Sequence, residues 1–192
     1  MWPDFFGNTF AMFKSQGIPD RCCRMIPPMG MFDLIKMLED ASVDYVLVGG
    51  LAVALHGYQR VTMDVDVVLA LDEENLRRFV SGARSAGLQP VIPVDIESLA
   101  RPELLDQWHR EKGMLAFGLR QPEGMATVID VLIRPAVPYA ELRRDAVSVA
   151  VGPLKIPVAS IDHLIAMKTG TGRGKDKIDI EELQKLKAGD AS

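Results

Sequence analysis

Between Tyr45 and Leu71 the chain reads YVLVGGLAVALHGYQRVTMDVDVVLAL, a pattern that leaves few folds open. An apolar strand, Tyr45 to Val48, runs into Gly49-Gly50, a pair that lets the backbone turn tightly and approach a ligand with no Cβ in the way. Leu51 to His56 then suits a short helix whose N-terminal amides would face that ligand. A second strand, Asp64 to Leu71, carries Asp64 and Asp66. Side chains alternate faces along a strand, so both acids are expected on the same side. Carboxylates held side by side repel one another unless a cation neutralises them. Magnesium suits such a place, because it takes one or two carboxylates together with substrate phosphates.

With 192 residues the chain can bury one proper core and is short for two domains. Its 48% hydrophobic and 25% charged residues are ordinary for a globular protein. A net charge of -4 argues against broad, sequence-independent nucleic-acid binding but leaves room for a local basic pocket. Cys22 and Cys23 are adjacent, so neither a disulfide framework nor a zinc site is expected, and a reducing cytoplasm fits best. No run approaches the roughly 18 apolar residues of a membrane span, and Asp4 comes too early for a secretory leader. Residues 1–30 stand apart, with four methionines, Pro3, Pro19, Pro27 and Pro28 and no sustained periodicity. Two readings are open for them. One is a poorly ordered extension, with Met29 or Met31 as the true start; the other is an arm packed on a domain spanning residues 31–192.

Helical spacing of Met31, Leu34, Ile35 and Leu38 predicts a first helix. Asp72 is placed to cap another, with Leu76, Phe79 and Val80 on its buried side. Further strands are expected at Val91 to Val94, Met114 to Leu119 and Thr127 to Ile133, with a short helix and loop over residues 100–113. Val147 to Val151 and Leu154 to Val158 read as a hairpin about Gly152-Pro153. Ser160 caps a helix from Ile161 to Lys168, and a last helix is expected near Asp176 to Lys187. This alternation indicates a single α/β or α+β domain with a mixed sheet.

Val48-Gly49-Gly50, a spacer of about a dozen residues and Asp64-Val65-Asp66 together resemble the signature of the nucleotidyltransferase superfamily, whose fold is DNA-polymerase-beta-like. Arg60 and Thr62 resemble the R-x-T-x-D-x-D form of its small bacterial members. The family's third acid lies on a later strand, where TVIDVLI offers Asp130. Lys168, Arg173, Lys175 and Asp176 resemble the later part of the toxin-type and AbiEii-like members, although the larger C-terminal region of typical abortive-infection toxins has no counterpart here. The resemblance implies an α/β (α+β) nucleotidyltransferase-like fold, a mixed sheet flanked by helices.

It also implies that an NMP moves from an NTP to an acceptor hydroxyl on tRNA, protein or a small molecule, with release of pyrophosphate. Asp64 and Asp66 would hold Mg2+ against the triphosphate, and Asp130 would complete the metal site and help deprotonate the acceptor. Gly49, Gly50, Arg60, Thr62, Lys168, Arg173 and Lys175 would bind the nucleotide. An antitoxin or a small helical protein is the implied partner. The alternative is a catalytically inactive, nucleotide- or partner-binding regulatory module of the same fold.

Plainer explanations compete at each position. A bare D-x-D is more often a half-exposed strand, but Gly49-Gly50 ahead and Asp130 behind favour the functional reading. Lys168 is the best candidate for a phosphate contact, against a solvated lysine favoured by a helix C-terminus. Arg173 and Lys175 are weaker, since Gly-rich loops usually carry solvated charge. TGTGRGK is no P-loop: Asp176 follows Lys175, Thr169 takes the first glycine position, and a helix precedes it. His56 could line the site but is more simply a packed side chain. His109 and His163 accompany no recognisable nucleophile.

Overall fold

A strand that is apolar at every position needs cover on both faces, and Tyr45–Val48 (β1) is buried throughout in the middle of a mixed sheet. The structure, a computed structural model, describes residues 29–122 and 127–189. Met31–Asp40 (α1) precedes β1 and turns Leu34, Ile35, Met37 and Leu38 inward. Gly49–Leu55 (α2), Asp64–Leu69 (β2), Glu73–Ser85 (α3) and the two-residue Gln89–Pro90 (β3) follow. A 3-10 turn, Ile96–Ala100, leads to Pro102–Lys112 (α4), Ala116–Arg120 (β4), Val128–Leu132 (β5) and Tyr139–Arg144 (α5). The hairpin Val147–Val151 (β6) and Leu154–Val158 (β7) precedes Ile161–Lys168 (α6) and Gly174–Gly189 (α7).

Among the described residues the sheet has seven strands in the order β3-β4-β5-β2-β1-β7-β6. β2 runs antiparallel to β1 and parallel to β5, and β7 runs parallel to β1. The outer pairs β3/β4, β4/β5 and β6/β7 are antiparallel. One register row crosses four strands: Val48 lies opposite Asp66, Asp66 opposite Asp130, and Asp130 opposite Gly118. This row positions the site. α1 packs on α3, while α2 lies against β1, β2 and α6, which in turn packs on α7. Among the described residues no helix is long and apolar enough to cross a membrane.

The mixed α/β architecture and the expected single domain are both present. Ser160 caps α6 by accepting from the His163 amide at 3.4 Å, and Asp72 caps α3 by accepting from the Asn75 amide at 2.9 Å. One expected strand is absent: residues 91–94 are bends, and pairing stops at β3 after Val91 donates to the Gly118 carbonyl. Pro90 and Pro93 lack the amides a ladder needs, and Val91 and Ile92 stand exposed. The short α5 was not expected from sequence. The expectations for residues 1–28 lie outside the described residues; Met29 N–H donates to the Gln121 side chain at 2.8 Å.

Asn75, fully buried, is the polar tie of the core. Its Oδ1 accepts from the Asp44 amide at 2.7 Å, and its Nδ2 donates to the Asp44 and Ala70 carbonyls at 2.9 Å each. The start of β1, the end of β2 and the first turn of α3 are thereby fixed together. Asn75→Ala removes three hydrogen bonds at once, leaving the Asp44 carbonyl only its bond from the Ala70 amide, and should cost about 2–4 kcal/mol. Urea unfolding checks this; a loss below about 0.5 kcal/mol would mean that the tie contributes little.

Candidate active site

Residues 64–67 alternate as a strand should: Val65 and Val67 are buried, Asp64 is exposed and Asp66 is half-buried. Opposite Asp66 on β5, Asp130 takes the same face, with Ile129 and Val131 turned into the core. The acids therefore converge where β1 gives way to α2. They line a cleft of about 530 Å³ with Gly49, Gly50, Arg60, Thr62, Lys168, Arg173 and Lys175. Every site residue proposed from the sequence lines this one cleft. Val61, Met63, Leu132 and Met167 supply apolar lining.

Two glycines make room for the acids. Gly49 has φ +67°, and a Cβ placed there would lie 1.9 Å from Asp66 Oδ2. No ordinary L-residue fits without displacing that carboxylate. Gly118 faces Asp130 across the β4/β5 ladder, and a Cβ there would lie 2.8 Å from Asp130 Oδ1. At Gly50 a Cβ would approach Thr62 Oγ1 at 2.9 Å and the Arg60 guanidinium at 3.0 Å, so the loop before β2 folds over the start of α2.

Burial raises Asp66 above the ordinary carboxyl pKa, and the charge of Asp64 raises it further. A hydrogen bond from the Gly50 backbone and the charges of Lys168 and Lys175 oppose this. Asp130 is pushed up to about 6, chiefly by burial and then by the charges of Asp66 and Asp64. Among the described residues no three His, Cys, Asp or Glu side chains are arranged to hold a metal ion by themselves. The chemistry of the donors nevertheless fits magnesium. They are hard oxygens carrying uncompensated negative charge, and magnesium completes its shell with phosphate oxygens and water.

The basic wall is more tightly built than the sequence indicated. Lys168 is 9% exposed, not solvated, and its Nζ donates to Asp179 Oδ2 at 2.7 Å and to Asp176 Oδ1 at 3.1 Å. Arg60 forms an ion pair with Asp179. Thr171 Oγ1 donates to Asp176 Oδ2 at 2.7 Å. Burial of Asp176 works to raise its pKa, but the bonds from Thr171 and Lys168 and the charge of Lys168 outweigh it, and the net shift is downward. Arg173 and Lys175 are exposed at the mouth.

Sequence reasoning missed Asp179 and Thr171. The available signal was the spacing of Asp176, Asp179 and Leu183, which puts two acids on the helix stripe that should be apolar. The histidines stay out of the cleft lining. His56 Nε2 bonds the Ala159 carbonyl at 2.8 Å, His109 Nδ1 the Met114 carbonyl at 2.9 Å, and His163 Nε2 lies 3.5 Å from Asp145.

No family model matches the chain, and no curated protein matches it in sequence. Among solved structures it resembles the lincomycin-bound lincosamide antibiotic adenylyltransferase LnuA, with a TM-score of 0.53 and 17% identity over 81% of this chain and 94% of that one. A second structure, ANT(2")-Ia in complex with adenylyl-2"-tobramycin, aligns at a TM-score of 0.48 and 11% identity over 82% and 92%. The likeness to LnuA establishes the class of fold: this chain has the nucleotidyltransferase fold.

Two outcomes follow from the crowding of the acids. Gly49→Ala should destabilise the protein by about 1–3 kcal/mol through backbone strain alone, before Asp66 is displaced. Denaturant unfolding reads this, and a neutral substitution would contradict the close approach. The second concerns pH. Because the folded protein raises Asp130 from 3.8 to about 6, the resulting stability is complete below pH 3.8 and is lost as pH rises through about 6. Above that, ionised Asp130 opposes folding, although solvent at the cleft mouth screens the effect. In divalent-free buffer at about pH 7.5, Asp130→Asn should melt about 2–4 °C above wild type, and the gap should close towards about pH 4. Equal melting temperatures at the higher pH would remove the repulsion from this account.

Proposed function

We propose that the protein is a magnesium-dependent nucleotidyltransferase that moves an NMP from an NTP to an acceptor hydroxyl. The register row that sets Asp66 beside Asp130, with Asp64 two residues away on the same face and Gly49 pressed against Asp66, carries this reading. The acceptor oxygen bonds to the α-phosphorus as the α–β phosphoanhydride breaks. Pyrophosphate leaves with the electron pair of that bond, and the acceptor proton passes to Asp130. Without a cation, burial and the charges of Asp66 and Asp64 hold Asp130 at about 6; a bound cation would offset those charges and keep its carboxylate ionised and able to accept a proton.

Asp64, Asp66 and Asp130 would hold Mg2+, which when bound supplies positive charge against the triphosphate oxygens. Lys168, Arg60, Arg173 and Lys175, which line the same cleft, would meet the phosphates. Thr62, packed over Gly50, would close the nucleotide's side of the cleft.

The shared fold of LnuA, a lincosamide adenylyltransferase seen with lincomycin, supports a small-molecule hydroxyl as the first acceptor class to test, ahead of tRNA or protein. A toxin role, an antitoxin or small helical partner and a cytoplasmic location rest on the sequence alone.

The test is pyrophosphate release from each of the four NTPs with magnesium, across a panel of hydroxyl-bearing acceptors. Asp64→Asn and Asp66→Asn should each reduce turnover by about 100- to 1,000-fold or more while thermal unfolding stays cooperative. Undiminished turnover in either variant would sink the mechanism. Magnesium-dependent nucleotide binding without pyrophosphate release from any acceptor would favour the inactive regulatory module.

A further inference from the structure

The buried stripe of α7 consists of Asp176, Asp179 and Leu183. A buried carboxylate carries a desolvation cost of several kcal/mol unless it is paired and hydrogen-bonded. Both of these are. Asp176 holds Lys168 and Thr171, whereas Asp179 holds Lys168 and Arg60 through the same oxygen, Oδ2. Arg60 comes from the loop before β2, Lys168 from the end of α6 and Asp179 from α7, so one carboxylate joins three separate segments.

Asp179 itself is 3% exposed and does not line the cleft, while Arg60, Lys168 and Asp176 do. An ammonium has three N–H donors. The two aspartates take two from Lys168, which leaves one unused by them on a side chain that lines the cleft. Arg60 keeps further guanidinium N–H groups beyond the one engaged by Asp179. Asp179 therefore stands behind two cations that face the space where the acids also converge.

We propose that Asp179 is a positioning residue for phosphate recognition: by gripping Lys168 and Arg60 at once, it presents both cations to the nucleotide's phosphates in a preset arrangement. The inference rests on the nucleotidyltransferase reading and adds a residue to it. Lysine and arginine side chains are long and lose rotamer freedom when a ligand immobilises them. A carboxylate that fixes them beforehand removes that loss from binding. A purely structural ion network would hold α7 in place and leave nucleotide affinity unchanged.

The experiment is a double-mutant cycle on the affinity for magnesium-ATP, read by calorimetry on the full chain, with unfolding curves recorded in parallel. Asp179→Asn keeps the side-chain shape and removes the charge, and it should weaken binding about 10-fold in the wild-type background. In a Lys168→Met background the same change should weaken binding clearly less, by about threefold or under, because Arg60 alone is left for Asp179 to position. Equal losses in both backgrounds, or unchanged affinity in the single variant, overturn the proposal. Wild type that binds no magnesium-NTP overturns the proposed function and this inference with it. Wild type that binds as expected, beside an Asp179→Asn variant of equal affinity, overturns only the inference. Should the Asn variant not fold, wild type is read directly: magnesium-ATP should shift the Lys168 15Nζ signal, assigned by its loss in Lys168→Met. A signal that stays in place overturns the proposal.

Discussion

Repulsion among the three carboxylates of β2 and β5 is the constraint to which the rest of the cleft answers. A parallel pairing that puts Asp66 level with Asp130 places like charges on neighbouring strands, where such pairs oppose folding. The chain tolerates this because the surroundings are fitted to it. Gly49 and Gly118 withdraw their side chains so that the acids have room, the Gly50 backbone donates to Asp66, and Lys168 and Lys175 contribute opposing charge from across the cleft. What the protein leaves uncompensated is negative charge facing solvent, which suits a hard cation bound together with phosphate.

Asp176 apart, the cleft is divided by sign. Asp64, Asp66 and Asp130 belong to the sheet, while Arg60, Lys168, Arg173 and Lys175 come from the loop before β2 and from the α6–α7 region. Two neighbouring interior strands suit the carboxylates because strand register fixes their spacing rigidly. Long cationic side chains reach further but must be held, and α7 supplies the aspartates that hold two of them. A magnesium-bound triphosphate has the matching polarity, with the metal on one side and free phosphate oxygens on the other.

Much of this was legible in the sequence because its signals were local. Apolar strand, Gly-Gly, spacer and acid pair lie within one continuous segment, and alternation alone places Asp64 and Asp66 on one face. Asp130 was legible through its incongruity, an acid inside TVIDVLI. Pairing partners were harder to foresee. Nothing near Lys168 indicates that Asp179 will bury it, and nothing near Arg60 indicates a partner 119 residues away. Residues 91–94 misled because β-branched residues read as a strand, whereas Pro90 and Pro93 remove amides that a ladder requires. Gly118 went unremarked because its importance comes from a neighbouring strand.

A buried ion network such as that of α7 needs a reason beyond stability. Apolar residues of similar size at Asp176 and Asp179 would extend the stripe begun by Leu183, and such replacements are often neutral or stabilising. They would also release Lys168 and Arg60, leaving one buried and one half-buried cation without these partners at the edge of the cleft. The acids of α7 thus make sense together with the cations, and the cations make sense together with the phosphates of the proposed nucleotide. Each charged layer is explained by the one it faces, from Asp66 on the sheet to Asp179 behind Lys168. The last helix is in this way tied to the chemistry of the second strand although it contributes little of the cleft's own surface.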